Sequence, residues 1–344
     1  MKLAPGGIPA ALGAALLFGA ATPFAKVLLG PVSPWMLAGI LYLGSGLGLA
    51  ALRLAVRRER APIARADVPW LAGAIALGGV AGPLLLLWGL ARMPASSASL
   101  LLNTEGVITA LVAWFAFREN FDRRIALGMA LIVAGGAVLA FQPGALDGRF
   151  GGAAAVAGAC LAWAIDNNLT RKISAADAAS IAAIKGLTAG TVNLAIALAI
   201  GAAWPGAAKA AAAAATGFLG YGLSLALFVV ALRELGAART GAYFSTAPFV
   251  GVGLSLLLGE TPGGLFWPAA ALMAAGVWLH ISERHEHEHV HEPMEHEHGH
   301  AHDAHHRHEH EEPWDGKEPH SHRHRHERLV HRHPHYPDIH HQHH

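Results

Sequence analysis

The 344-residue chain carries 25 Lys and Arg against 24 Asp and Glu, a formal net charge of +1, and 53% hydrophobic residues. Those averages hide two polymers: all 24 His lie at or after His280, and residues 1–283 hold 18 basic against 11 acidic residues where residues 284–344 hold 7 against 13. The first polymer is too apolar to be soluble, and its positive charge sits in short clusters between apolar runs, which excludes nucleic acid as a partner. Its single cysteine, Cys160, excludes an internal disulfide or a CxxC metal site.

A helix needs about 20 apolar residues to cross a bilayer, because its backbone must bond internally in hydrocarbon. Ten stretches qualify, roughly 8–29, 34–55, 68–90, 94–117, 123–141, 151–171, 179–201, 211–232, 237–258 and 263–282. The first imitates a signal peptide, but the nine that follow make it a first transmembrane helix. In the eighth the Ala run is weakly hydrophobic, and the span is read from about Thr216 onward. With the N-terminus inside, the inner loops hold thirteen Lys and Arg, from Lys2 to Arg239, against three outside, Arg92, Arg149 and Lys209. That asymmetry predicts a cytoplasmic-membrane protein with both termini in the cytoplasm.

The helical part repeats itself. A shift of 141 residues aligns Arg92–Glu119, RMPASSASLLLNTEGVITALVAWFAFRE, with Arg233–Glu260, RELGAARTGAYFSTAPFVGVGLSLLLGE. Both copies have an Arg at the loop, a small-residue stretch, Thr104 or Ser245 within the helix, and a closing Glu. FGAATPFAK (Phe18–Lys26) pairs with WAIDNNLTR (Trp163–Arg171) at a slightly different shift. Five helices duplicated must enter the membrane in opposite senses, the inverted-repeat plan of secondary transporters with a midplane site between halves. The expected architecture is therefore an all-α integral membrane protein: ten helices as two inverted five-helix repeats, residues 1–145 and 146–283, followed by a disordered His-rich tail, residues 284–344.

These segments resemble the EamA repeat of the drug/metabolite transporter superfamily, in the endings Arg118–Glu119 and Gly259–Glu260 and the openings LLFGAATPFAK and CLAWAIDNNLTRK. The resemblance covers about residues 8–282. It implies a central cavity open to one side at a time and a cargo among amino acids, other small metabolites and drugs, with no cofactor required. One departure stands out. The family commonly has Pro about twelve residues before the closing Glu; Pro248 fits, but the first half has Val107 there, just after Glu105 and Gly106.

An ionisable group inside a span is costly and faces a cavity or a partner. Glu105, two residues from Asn103, reads either as a carboxylate that exchanges protons or meets a cationic cargo, or as a structural partner of Lys26 or Lys185. Asp166 is followed by Asn167 and Asn168, so polar groups point in three successive directions; a pair with Arg171 or Lys172 is the structural alternative. Lys185 reads as a site group or as a side chain reaching the interface, and Lys26 as one reaching the interface. Tyr221, Tyr243, Trp88 and Trp163 are candidates to line an organic-solute cavity, packing being the alternative. Glu119 and Glu260, at helix ends, are expected to bond loop donors. Gly44–Gly48, Gly78–Gly82 and Gly186–Gly190 predict tight helix contacts, with homodimerisation as another use of such spacing. Before His280 there is no His for a general base or a His–carboxylate metal site, so enzyme chemistry has nothing to build on.

The tail cannot bury an apolar core and is expected to be disordered. Its HxHxH spacing suits zinc, nickel, cobalt or copper, with His285, His287, His289, His291, His296, His298, His300 and His302 as candidate ligands. Imidazoles titrating near about 6.5 also make it responsive to pH. Two functions compete: a solute transporter with an accessory or regulatory tail, and a divalent-metal transporter whose tail collects cargo. A metal sensor or scaffold that transports nothing is more distant. The partners expected are a small-molecule solute, membrane lipid and divalent metal ions.

Overall fold

The computed structural model describes residues 7–30, 32–55, 63–117, 123–140, 149–173, 178–235, 240, 243–282, 286–291, 294–300, 320–326 and 329–334. Two compact units divide the chain, Met1–Glu283 and Arg284–His344. The described part of the first is entirely helical. Its elements are α1 (Gly7–Leu29), α2 (Pro34–Ala55), α3 (Val68–Ala74), α4 (Gly82–Leu90), α5 (Ala95–Leu101), α6 (Asn103–Phe117) and α7 (Arg123–Ala140). They continue with α8 (Arg149–Lys172), α9 (Ala178–Ala199), α10 (Ala207–Gly217), α11 (Ser224–Leu235), α12 (Ala247–Leu257) and α13 (Phe266–Ile281). Among the described residues, five stretches are long and apolar enough to cross a membrane: Gly7–Leu29, Pro34–Ala55, Arg65–Leu90, Ala179–Ala199 and Ala207–Phe228. One boundary corrects the sequence reading. The Ala run before Thr216 is helix from Ala207 onward, because Ala has the highest helix propensity even where its hydrophobicity is weak.

Irregularities recur at matching places in the two halves. Between α3 and α4 the chain runs through a π-helical segment, Ile75–Ala81, and between α10 and α11 through another, Phe218–Leu223. Each contains a glycine pattern, LGG and LGYG, that lets a neighbouring helix approach the widened turn. The next segment in each half is interrupted as well. Leu102 separates α5 from α6, and the turn at Ser245–Thr246 precedes α12, whose Pro248 has no N–H to continue the ladder. Carbonyls freed at the two breaks are taken by threonines: Thr104 Oγ1 donates to Leu101 O and Thr246 Oγ1 to Tyr243 O, both at 2.6 Å.

The core is a seam of small residues. Gly46 and Gly186 bring the backbones of α2 and α9 together, Gly190 meets Leu43, and Gly44 meets the backbone of Ala214 in α10. The Gly44–Gly48 and Gly186–Gly190 spacings are thus tight helix contacts within one chain, as expected. Gly217 is confined by backbone: a Cβ there would run into the Leu41 carbonyl oxygen, which cannot swing away. Gly217→Ala is therefore expected to lower detergent-solubilised thermal stability by about 1–3 kcal/mol. Gly13→Ala, whose Cβ would meet only Leu227 Cδ1 at 3.4 Å, should leave it nearly unchanged.

Where the sequence predicts a disordered tail, the described residues of the second unit form four strands, β1 (Glu286–His291), β2 (Met294–His300), β3 (His320–His326) and β4 (Leu329–Pro334), with β1 antiparallel to β4 and β2 antiparallel to β3. Its composition still bars an apolar core. Backbone pairing needs none where residues of opposite charge hold paired register positions, as Glu288 does with Arg332 and Glu295 with Arg325. His285 and His302 lie outside the described residues, as do Arg118 and Glu119.

Candidate solute site

The break at Leu102 places Glu105 in the first turn of α6, where Glu105 N donates to Leu102 O at 3.1 Å. Asn103, buried, turns back to its own helix and donates to Leu100 O at 3.0 Å. Cys160 Sγ, from α8, points at Leu101 O at 3.8 Å. Asn103 and Cys160 therefore hold the broken segment, and Asn103's amide nitrogen is not turned to a cavity.

Glu105 itself is half-buried and accepts a hydrogen bond from Asn167 Nδ2 of α8 at 2.9 Å. Among the described residues no Lys or Arg forms an ion pair with it. Both lysines proposed as its structural partners are engaged elsewhere. Lys26 Nζ donates to Leu90 O and, at 3.1 Å, to Met93 O, capping the C-terminal end of α4 rather than reaching toward Glu105 or the interface. Lys185 Nζ lies 2.5 and 2.7 Å from the two oxygens of Asp166 and 3.3 Å from Thr170 Oγ1. The side chains of Arg171 and Lys172, the partners the sequence reading offers Asp166, lie outside the described residues. α8 and α9 both pack against the π-helical segment Ile75–Ala81, and the long Lys185 side chain spans from one helix to the carboxylate of the other. Thr170 Oγ1 donates to Asp166 Oδ1 at 2.9 Å, and Gly78 packs directly on the carboxylate, where any Cβ would collide with Oδ2.

The π-helical segment 75–81 supplies the floor of this region. Tyr42 OH and Trp163 Nε1 both donate to Gly78 O, at 2.9 and 3.0 Å, and Asn193 Nδ2 donates to Gly79 O at 3.0 Å. A π-turn leaves carbonyls without their usual helical donor, and these three side chains take them. Tyr42 stacks on Tyr221, from the other π-segment, with centroids 5.6 Å apart. Phe18 meets Tyr221 edge-on at 6.0 Å and Phe244 at 5.3 Å, and Phe228 meets Phe244 at 4.9 Å. The two halves thus share an aromatic wall. Tyr221 belongs to it. Tyr243 does not: it packs on the Ala10, Ala11 and Ala231 cluster. Trp163 is buried, and Trp88 is exposed beneath the Arg92 guanidinium.

Sequence reasoning passed over Tyr42 and Phe18. Tyr42 was detectable as a phenol amid the glycines of a tightly packed helix, and Phe18 opens the duplicated FGAATPFAK motif. Asn193, fully buried with its amide oxygen unpartnered, carried no such signal. Glu260 does what its position predicted: its two carboxylate oxygens accept from Ala95 N at 2.7 Å and Ser96 N at 2.9 Å, holding the first turn of α5.

Curated relatives agree with a transport role. The chain is 27% identical over 289 residues to an uncharacterized transporter of Methanothermobacter thermautotrophicus, covering 77% of this chain and 83% of that one. It is 32% identical over 238 residues to a probable terminal-alkyne amino-acid exporter of Streptantibioticus cattleyicolor, covering 68% and 78%. It is 43% identical over 106 residues to a probable 4-amino-4-deoxy-L-arabinose-phosphoundecaprenol flippase subunit, ArnE, of Pseudomonas paraeruginosa, which takes up 28% of this chain and 89% of the relative. A solved crystal structure of a protein 19% identical superposes with a TM-score of 0.60 over 79% of this chain and 95% of its own, which shows the shared fold. The family model for EamA-like transporters matches twice, at residues 5–141 and 150–282. This chain, a multi-pass membrane protein, belongs to the EamA-like transporter family.

Proposed function

We propose that the protein is a secondary transporter that moves a small solute bearing an ammonium group across the cytoplasmic membrane by alternating access. The observation that supports this best is the Glu105 carboxylate, which has an amide partner and, among the described residues, no basic one. A charge held in a membrane interior without a counter-charge needs a proton or a cationic ligand. Proton coupling at Glu105 belongs to the same proposal. Two relatives whose names carry an amino group, an amino-acid exporter and a subunit of an aminoarabinose-lipid flippase, support the same class. Tyr42, Tyr221 and Phe18 offer the organic part of such a solute an apolar and cation-tolerant wall.

In this reading ten segments cross the membrane as two inverted repeats. Loop charges orient both termini to the cytoplasm, and the tail binds zinc, nickel, cobalt or copper in an accessory or regulatory role. The divalent-metal transporter reading has less support: among the described residues of the helical unit no three of His, Cys, Asp and Glu converge on a path through the membrane.

Reconstituted protein tested against a panel of radiolabelled amines, amino acids, amino sugars, carboxylates and divalent metals should move members of the ammonium-bearing group. Flux of metals alone, or of carboxylates without an amine, would overturn the proposal.

A further inference from the structure

The tail contains two arms of opposite charge and matching period. The first, residues 286–300, alternates His with Glu; the second, residues 320–334, alternates His with Arg. Pairing β2 with β3 sets His296 opposite His324, His298 opposite His322 and His300 opposite His320, with Glu295 opposite Arg325 and Glu297 opposite Arg323 between them. Pairing β1 with β4 repeats the arrangement: His287 opposite His333, His289 opposite His331, and Glu288 opposite Arg332.

Successive residues of a strand belong to opposite faces. Each strand pair therefore has one face populated by His from both arms and another by Glu and Arg. A slip of one residue would set His against Arg and Glu against His, so charge complementarity selects the register that aligns the histidines. Directly opposite positions in an antiparallel pair have Cα atoms about 4.5–5.5 Å apart, and positions i and i+2 lie about 7 Å apart along a strand. Positions 296, 298, 322 and 324 then form one compact four-histidine patch, and 287, 289, 331 and 333 a second. Four histidine positions so spaced match the number of ligands that zinc takes in a tetrahedral site.

We propose that the tail is a two-armed clasp for a zinc-class divalent cation, its site drawn jointly from residues 286–300 and 320–334. This rests on the metal-binding reading of the tail and adds that neither arm suffices. The second arm, absent from the ligand set suggested by HxHxH spacing near His285–His302, supplies half of each patch. Metal binding and arm pairing are then one event, which gives the cell's metal level a means of changing the shape of a segment that follows α13.

The test uses the full-length protein in detergent, titrated with Zn²⁺ against a chromophoric chelator. Replacing His322, His324, His331 and His333 by Ala should weaken the tightest binding about tenfold or more, as much as replacing His287, His289, His296 and His298 does. Charge reversal by Glu295→Arg with Glu297→Arg should weaken it too, and adding Arg323→Glu with Arg325→Glu should restore it. Wild-type protein with no tight Zn²⁺ would overturn the metal-binding reading itself. Tight binding that survives loss of the second-arm histidines would overturn the clasp and leave that reading standing. A charge swap that fails to rescue would overturn the register.

Discussion

Glu105→Gln is expected to lower transport of an ammonium-bearing solute by roughly 30-fold or more, the effect of deleting one member of a buried, hydrogen-bonded charge pair worth about 2 kcal/mol or more. Gln preserves the size of the side chain and an oxygen for Asn167 Nδ2 to donate to, so the α6–α8 contact at 2.9 Å can persist. What disappears is the formal charge and the capacity to take a proton. Flux in proteoliposomes at fixed solute concentration reads the effect, and a pH series on the same vesicles reads the coupling. A variant with wild-type flux and a wild-type pH profile would remove Glu105 from the mechanism. A variant that keeps flux but loses its pH dependence would assign it to the proton alone. Asn167→Ala supplies the companion measurement, because it leaves the carboxylate in place without its amide donor.

Lys185→Met should destabilise the helical unit by about 3–5 kcal/mol, since it strands the buried Asp166 carboxylate with the Thr170 hydroxyl as its remaining donor among the described residues. Asp166 cannot move away easily: Gly78 of the π-segment lies against it. The double variant Asp166→Asn with Lys185→Met removes both charges and should recover most of that loss, because an ion pair in a low-dielectric interior is offset by the desolvation of its members. Thermal unfolding of the purified protein in detergent, followed by intrinsic Trp fluorescence or by size-exclusion recovery, measures both. Equal destabilisation of the single and double variants would show that the pair is not the relevant interaction. Flux of the double variant separates two roles. Recovered stability with recovered flux makes the pair a strut of α8 and α9; recovered stability without flux places it in the transport cycle.

Much of this was legible in the sequence because the membrane imposes simple rules. Apolar length marks the helices, and duplication of Arg92–Glu119 as Arg233–Glu260 marks the repeat. The glycine spacings foretold backbone-to-backbone contacts, and Glu260, expected to bond backbone donors beyond its own helix, accepts from Ala95 N and Ser96 N. Other features escaped for a physical reason. Three-dimensional pairing across helices decides where a long, flexible side chain goes, and no one-dimensional spacing encodes it. Lys185 was assigned either to the site or to the interface, and it found Asp166. Lys26 was expected to extend outward, and it found the carbonyls that end α4. Tyr221 and Tyr243 carried the same chemistry on paper, yet one lies on a widened turn facing Tyr42 and the other packs among alanines.

The sequence by itself determined the class of the molecule: a membrane-embedded helical duplicate with a polar, His-rich extension. Hydrophobic length and internal repetition are properties of the chain taken locally or compared with itself. The tertiary structure alone decided that helical regularity fails at corresponding points of both halves, in π-turns at 75–81 and 218–223 and in breaks at Leu102 and Ser245–Thr246. It also decided which polar groups answer those failures. A backbone carbonyl released inside a membrane must find a donor, and the donor comes from whichever neighbouring helix packs closely enough to offer one. That requirement is met by Tyr42, Trp163 and Asn193, and Glu105 is left as a carboxylate that, among the described residues, has an amide partner and no basic one.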